Sequence, residues 1–283
     1  MIVFDGRLHD GRVVPFDVSD RGLLLADGLF ETFLVVGGRA FRRAAHLDRM
    51  MAGAAALGLA VERARLGHDL DLLLATLGAG TSVVRMTLTR GPGARGLARP
   101  ADPRPNVLVT AAPWSADLVF RRLRLATTSI RRNQTSPTAR FKTLAYVDAI
   151  AALAEAEARG ADDALFLNGA GHVASTTMAN LFAVVAGRLV TPPVEDGVLA
   201  GTTRGLVLEA AAARGIATEV RSLTVDEFFS AEAVFATNAV RLISPVVGLD
   251  GRPLGEAIDW AAGLLDEIGA RIAAECGRDP RAG

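Results

Sequence analysis

Short apolar segments of strand length alternate, in no strict order, with longer stretches of helical periodicity along the 283 residues. LFETFLVV (29–36), TSVVRMTLTR (81–90), NVLVTAAP (106–113) and LRLATTSI (123–130) read as strands. The first runs into Gly37-Gly38, a two-residue hairpin signal, and then RAFR. RAAHLDRMMAGAAALGL (43–59), LGHDLDLLLATLG (66–78), TLAYVDAIAALAEAEARG (143–160) and TTRGLVLEAAAARG (202–215) read as helices, the last two closed by a glycine. DDALFLNG, NLFAVVAG, RLVTPP, AEAVFATNAV and SPVVGLDG read as further strands, and the tail from Glu256 as helix. Without strict βαβ alternation, this pattern predicts an α+β or mixed α/β fold. The length suits two domains: a small one over 1–113, a linker over 114–122 after Pro113, and a larger one over 123–283.

The balance of residues removes several functions. A formal net charge of zero and a pI near 6.9 argue against a nucleic-acid or anionic-membrane partner, which would call for a basic excess. MIVFDGRLHD lacks the basic and apolar regions of a signal peptide, and no apolar run approaches a membrane span, so a cytoplasmic protein is expected. Cys276 is the only cysteine, and His9, His46, His68 and His172 show no metal-ligand spacing, so no metal site is expected. Gly91, Gly93 and Gly96 match the dinucleotide pattern G-x-G-x-x-G. However, LARPADPRP follows, where three prolines prevent the helix that would hold a pyrophosphate.

One heptapeptide, RFKTLAY (140–146), carries more information. Of the 31 lysines and arginines, Lys142 is the only lysine, and Tyr146 is the only tyrosine. Arginine substitutes for lysine where charge alone matters. It cannot act as a neutral amine that attacks a carbonyl, because its guanidinium stays protonated. A lone lysine in an arginine-biased chain therefore fits Schiff-base chemistry, and a chance surface survivor is the competing reading. If the helix expected from residue 143 begins at the lysine, positions 142 and 146 share one face, which would bring a phenol to the same place.

Several motifs around this heptapeptide resemble those of the fold-type IV pyridoxal-phosphate enzymes, the class IV aminotransferases. DRGLLLADGLFETF (20–33), HLDRM (46–50), SPTARFKTLAYVDAIAA (136–152), NLF (180–182), RLVTPP (188–193) and AGTTR (200–204) are similar to that family's motifs and follow in its order. The resemblance implies pyridoxal 5'-phosphate as cofactor, lying between a small and a large domain, and a homodimer. It implies Lys142 as the imine lysine, Tyr146 as partner of the ring 3-oxygen, and Arg49 as a phosphate ligand. It further implies Thr202 and Thr203 at a phosphate-binding helix N-terminus and Leu199 against the pyridine ring. Ser175, Met178 and Ala179 fall in the segment that faces the ring nitrogen.

HVASTTMANLF (172–182) departs from the family pattern. Aligned on Asn180, Ser175 stands where family members usually carry the glutamate that keeps the pyridine nitrogen protonated, which weakens the cofactor as an electron sink. TRGPGARGL (89–97) and ATNAVRLISPV (236–246) resemble segments of aminodeoxychorismate lyases. By that likeness Glu31, Arg90, Arg95 and Arg241 become candidates for the substrate site, the arginines as carboxylate ligands. The expected activity is 4-amino-4-deoxychorismate lyase-like, eliminating pyruvate to give 4-aminobenzoate. A branched-chain or D-amino acid transaminase is the first alternative, and a pyridoxal-phosphate-binding protein with little catalysis the second.

Overall fold

The computed structural model describes residues 1–255 and 258–282. The chain forms two compact units. One comprises Met1–Ser115, Phe141–Ala145 and Ile272–Gly283, and the other Ala116–Arg140 and Tyr146–Arg271.

The first unit is built on a six-stranded antiparallel sheet of β1 (Ile2–Phe4), β2 (Arg7–His9), β3 (Gly28–Val36), β4 (Arg39–Ala40), β5 (Thr81–Thr89) and β6 (Val107–Pro113). The order across it is β2-β1-β6-β5-β3-β4. β3 and β5 stay in register from Gly28↔Thr89 to Val36↔Thr81. Gly37 and Gly38 turn β3 into β4 with φ of 58° and 75°, as expected. Both central residues of such a turn need positive φ, which glycine adopts without steric cost. Helices α1 (Arg21–Leu25), α2 (Arg43–Leu57) and α3 (Arg63–Leu74) also belong to this unit. α2 buries His46, Leu47, Met50, Gly53 and Ala54, a stripe at helical spacing. Leu47 and Met50 join Leu29, Phe33, Leu66, Leu70 and Met86 in one core. Each such side chain contributes about 1.5–3 kcal/mol by leaving water.

The second unit holds a nine-stranded mixed sheet of β7 (Leu123–Arg132), β8 (Asp163–Asn168), β9 (Val173–Thr176), β10 (Asn180–Val185), β11 (Arg188–Thr191), β12 (Thr218–Val220), β13 (Ala233–Asn238), β14 (Leu242–Leu249) and β15 (Arg252–Pro253). β7 pairs in parallel with both β8 and β14, and β11 with β12, whereas the other pairings are antiparallel. A short helix α4 (Pro137–Arg140) and α5 (Val147–Ala158) connect β7 to β8, and α6 (Thr202–Ala213) and α7 (Val225–Ser230) follow in the same unit. All six residues of β8 are buried, a continuous run expected of a strand covered on both faces. Across β10 and β13, Phe182 stacks on Phe235 with ring centroids 5.2 Å apart. The last helix, α8, spans Ile258–Cys276, and Glu256, where that helix was expected to begin, lies outside the described residues. Among the described residues no helix is long and apolar enough to cross a membrane.

One helix boundary differs from the expectation, and it changes the reading of the lysine. α5 starts at Val147 with Tyr146 as its N-cap, so Lys142 is not on that helix and the two do not share a helical face. The reason lies in the backbone of 141–145. Lys142 C=O accepts the Phe30 N–H at 2.9 Å, and Leu144 N–H donates to Gly28 C=O at 3.0 Å. The Lys142 carbonyl is thereby committed to the edge of β3, whereas a helix starting at the lysine would require it for the Tyr146 N–H.

Candidate active site

β3 and α2 place three ionisable side chains at one buried point of the first unit. Glu31 points from β3, while His46 and Arg49 lie three residues apart on α2 and so on one helical face. Arg49 donates to Glu31 through Nε to Oε1 at 2.7 Å and Nη2 to Oε2 at 2.6 Å. His46 Nδ1 lies 2.7 Å from Oε2. A carboxylate only accepts, so Nδ1 carries the proton. The Glu31 side chain is 1% exposed. Burial alone would raise its pKa. The Arg49 charge and the hydrogen bonds from His46 and Arg49 outweigh burial and hold it down at about 2. Burial pushes the His46 pKa down, and the Arg49 and Lys142 charges add to that, so the imidazole is neutral near pH 7 despite its bond to Glu31.

Lys142 reaches the neighbourhood through the strand-edge pairing of 141–145. Its Nζ lies 4.3 Å from the Phe30 ring centroid, and Arg85 Cζ lies 3.7 Å from that same centroid. Glu31 and Arg49 are thus brought together, with Lys142 close enough to act on His46. Arg90 is an internal strut: its guanidinium binds both Asp27 carboxylate oxygens and the Leu57 and Gly58 carbonyls. Its side chain is 4% exposed and four of its five N–H donors are engaged in this way. Arg95 stands exposed in the loop after β5. No helix follows that loop's glycines, and Pro92 pairs with Asp20 instead.

The second unit carries the remaining candidates. Asn180 Nδ2 donates to the Leu199 carbonyl at 2.8 Å and fixes the turn into α6. At Gly201, the N-cap of α6, an added Cβ would collide with Asn180 Oδ1, so the Asn180 amide, which holds the Leu199 carbonyl, would have to shift. The N-cap, Gly201, has no side chain with which to cap this helix; the first residues are Thr202 and Thr203, and Thr203 is buried. Such an end suits an anion, through first-turn N–H groups and the helix dipole. Ser175 sits on β9 and pairs with Phe166 of β8. Arg132, the last residue of β7, lays its guanidinium over the Phe166 ring at 4.2 Å and reaches Ser175 Oγ with Nη2 at 3.4 Å. Tyr146 and Asp148 also act on its charge. Met178 is 42% exposed beside Ala179, in the turn that Thr176 Oγ1 holds by accepting both their N–H groups. Arg241 donates its backbone N–H to Asn238.

Sequence reasoning missed His46 and Arg132 as site residues. The spacing of His46 and Arg49 on one helical face was a usable signal for the first. None existed for Arg132, which meets Ser175 only through a strand pairing 43 residues away.

In the first unit the primary amine of Lys142 and the guanidinium of Arg49 suit a phosphorylated carbonyl compound, and in the second the glycine-led start of α6 by itself suits an anion. Comparison with known proteins points the same way. The family model for amino-transferase class IV matches residues 28–249. A provisionally named branched-chain-amino-acid aminotransferase of Methanocaldococcus jannaschii is 32% identical over 261 residues, covering 89% of this chain and 88% of that protein. The structure of branched-chain aminotransferase from Thermoproteus uzoniensis, solved with norvaline, superposes with a TM-score of 0.88 at 26% identity, over 97% of this chain and 95% of that one. That of 4-amino-4-deoxychorismate lyase from Pseudomonas aeruginosa gives 0.83 at 30% identity, over 95% and 98%.

Proposed function

Because the chain belongs to the class IV aminotransferases, a family of pyridoxal-phosphate-dependent enzymes, we propose that it is a lyase of the aminodeoxychorismate type. It eliminates pyruvate from a substrate with two carboxylates and leaves 4-aminobenzoate. The observation that carries this reading is Ser175 in place of a carboxylate in the segment assigned to the pyridine nitrogen. When bound, pyridoxal phosphate supplies an electron sink conjugated to the substrate amine. In this reading Lys142 would be the point of covalent attachment; once the substrate amine has displaced it, the freed Nζ would take the proton from the substrate carbon bearing the amine. Arg49 and the α6 N-terminus, with Thr202 and Thr203, hold the phosphate. Tyr146 donates to the ring 3-oxygen, Leu199 packs on the ring face, and Ser175, Met178 and Ala179 border its nitrogen side. Arg95 and Arg241 receive substrate carboxylates. The family likeness supports a homodimer.

Elimination suits a weak sink, because expelling the enolpyruvyl group leaves an aromatic product and the driving force lies in the substrate. Transamination must instead hold the carbanion until it is reprotonated. A branched-chain or D-amino acid transaminase is the second reading, favoured by the likeness to branched-chain aminotransferases.

The test is to supply pyridoxal phosphate and 4-amino-4-deoxychorismate and to measure pyruvate and 4-aminobenzoate. Release of both without net amino transfer is expected. Pyridoxamine phosphate formed from amino acids, with no pyruvate release, would replace the lyase by the transaminase. Borohydride treatment of the holoprotein should fix pyridoxal on the Lys142 peptide, and an unlabelled Lys142 removes the cofactor assignment altogether.

A further inference from the structure

Ser175 is not a passive replacement for a missing carboxylate, because the fold puts a cation behind it. β7, β8 and β9 are neighbours in the sheet, and Arg132, Phe166 and Ser175 come from successive strands. The guanidinium crosses the Phe166 ring and ends against Ser175 Oγ. Its Nε is buried and has no hydrogen-bond partner among the described residues. A guanidinium therefore sits at this position with donor capacity to spare.

The polarity of these bonds decides what Ser175 can offer. A guanidinium only donates, so the serine oxygen accepts from it. The serine hydroxyl has one proton, and with its oxygen turned to Arg132 that proton is directed elsewhere. It can be offered to an acceptor; the oxygen keeps a second lone pair, and it is the Arg132 cation beside it that weighs against a cationic donor such as a pyridinium.

We infer that Arg132 and Ser175 together present a hydrogen-bond donor to the ring nitrogen of the cofactor, and so hold the pyridine without a proton. The inference rests on the reading above, in which this chain binds pyridoxal phosphate with Ser175 beside that nitrogen. A glutamate there is an acceptor and requires an N–H⁺ on the ring. The Arg132–Ser175 pair reverses the direction of the bond. A pyridinium would also face the Arg132 cation across one hydroxyl, a like-charge arrangement that disfavours its proton. Burial pushes the Arg132 pKa down, while the nearby Tyr146 and Asp148 act in the opposite direction. Arg132 is thus a positioning residue acting through Ser175, and together they set the electronic character of the cofactor.

The experiment is nitrogen NMR of the holoprotein loaded with pyridoxal phosphate carrying a labelled ring nitrogen. In the parent, the ring resonance is expected at the position of an unprotonated pyridine. Ser175→Glu should move it to the pyridinium position. Arg132→Lys, which keeps a cation, should leave it where the parent has it, and Arg132→Leu should shift it part of the way. A parent resonance already at the pyridinium position overturns the inference even if every variant misfolds, and it leaves the cofactor reading intact. Failure of the parent to retain cofactor, or of borohydride to label Lys142, overturns both.

Discussion

Replacing Glu31 by Gln tests the buried charge cluster that orients Arg49. The side chain keeps its shape, and its exposure is only 1%, so little else changes. In the parent, three donors converge on its two oxygens, at 2.7, 2.6 and 2.7 Å. A glutamine amide offers one oxygen and one NH₂, and either orientation turns that NH₂ toward an Arg49 donor. The guanidinium also loses its counter-charge. Breaking a buried ion pair from one side costs about 3–5 kcal/mol. Arg49 keeps 14% side-chain exposure and can relax toward water, so the lower end, about 3 kcal/mol, is expected. That corresponds to a drop in melting temperature on the order of 10 °C for a chain of this size. The assay is thermal unfolding of the cofactor-free protein followed by circular dichroism across a pH series. The folded pKa of Glu31 is depressed from 4.5 to about 2. Its contribution is therefore complete above about 4.5 and is lost as pH falls through about 2, where the two melting curves should converge. Adding Arg49→Met to Glu31→Gln should restore part of the loss, because a buried apolar contact replaces an unpaired charge. Coincident parent and Glu31→Gln melts at neutral pH would refute the account of this cluster.

Three further outcomes are expected. Arg49→Lys keeps a cation for Glu31 but loses the fork, so retention of pyridoxal phosphate on dialysis should weaken by about ten- to a hundredfold, matching a charge-assisted bond of roughly 1.5–3 kcal/mol; unchanged retention removes Arg49 from the phosphate. Gly201→Ala should also impair cofactor retention, because its Cβ displaces the Asn180 amide that holds the Leu199 carbonyl; a variant that holds cofactor like the parent shows that this turn is not the phosphate site. Cys276 is 5% exposed, and burial, with Glu275 nearby, pushes its thiol up to about 11, so a disulfide reagent at neutral pH should modify it only after unfolding; rapid modification of the native protein contradicts that placement.

Much of the chain is set locally and was legible without coordinates. Periodicity alone located α2, α3, α6 and most strands, because burial of one face repeats every 3.6 or two residues. Gly37-Gly38 announced its hairpin for the same kind of reason, since few residues tolerate that backbone. The lone Lys142 also stood out in the sequence, because a lysine can present a neutral amine where the arginines around it cannot. The tertiary structure alone decided what each charged group faces. Lys142 looked helical because its neighbours favour helix, yet the edge of β3 takes the carbonyl of Lys142 and the N–H of Leu144 and postpones α5 to Val147. Nothing local announces that Asp27 and the Leu57 and Gly58 carbonyls close around Arg90. The partnerships of Glu31 with Arg49 and of Ser175 with Arg132 span 18 and 43 residues. Strand order and register create them, and neither leaves a mark on local sequence, because hydrogen bonds and charge act through space and not along the chain.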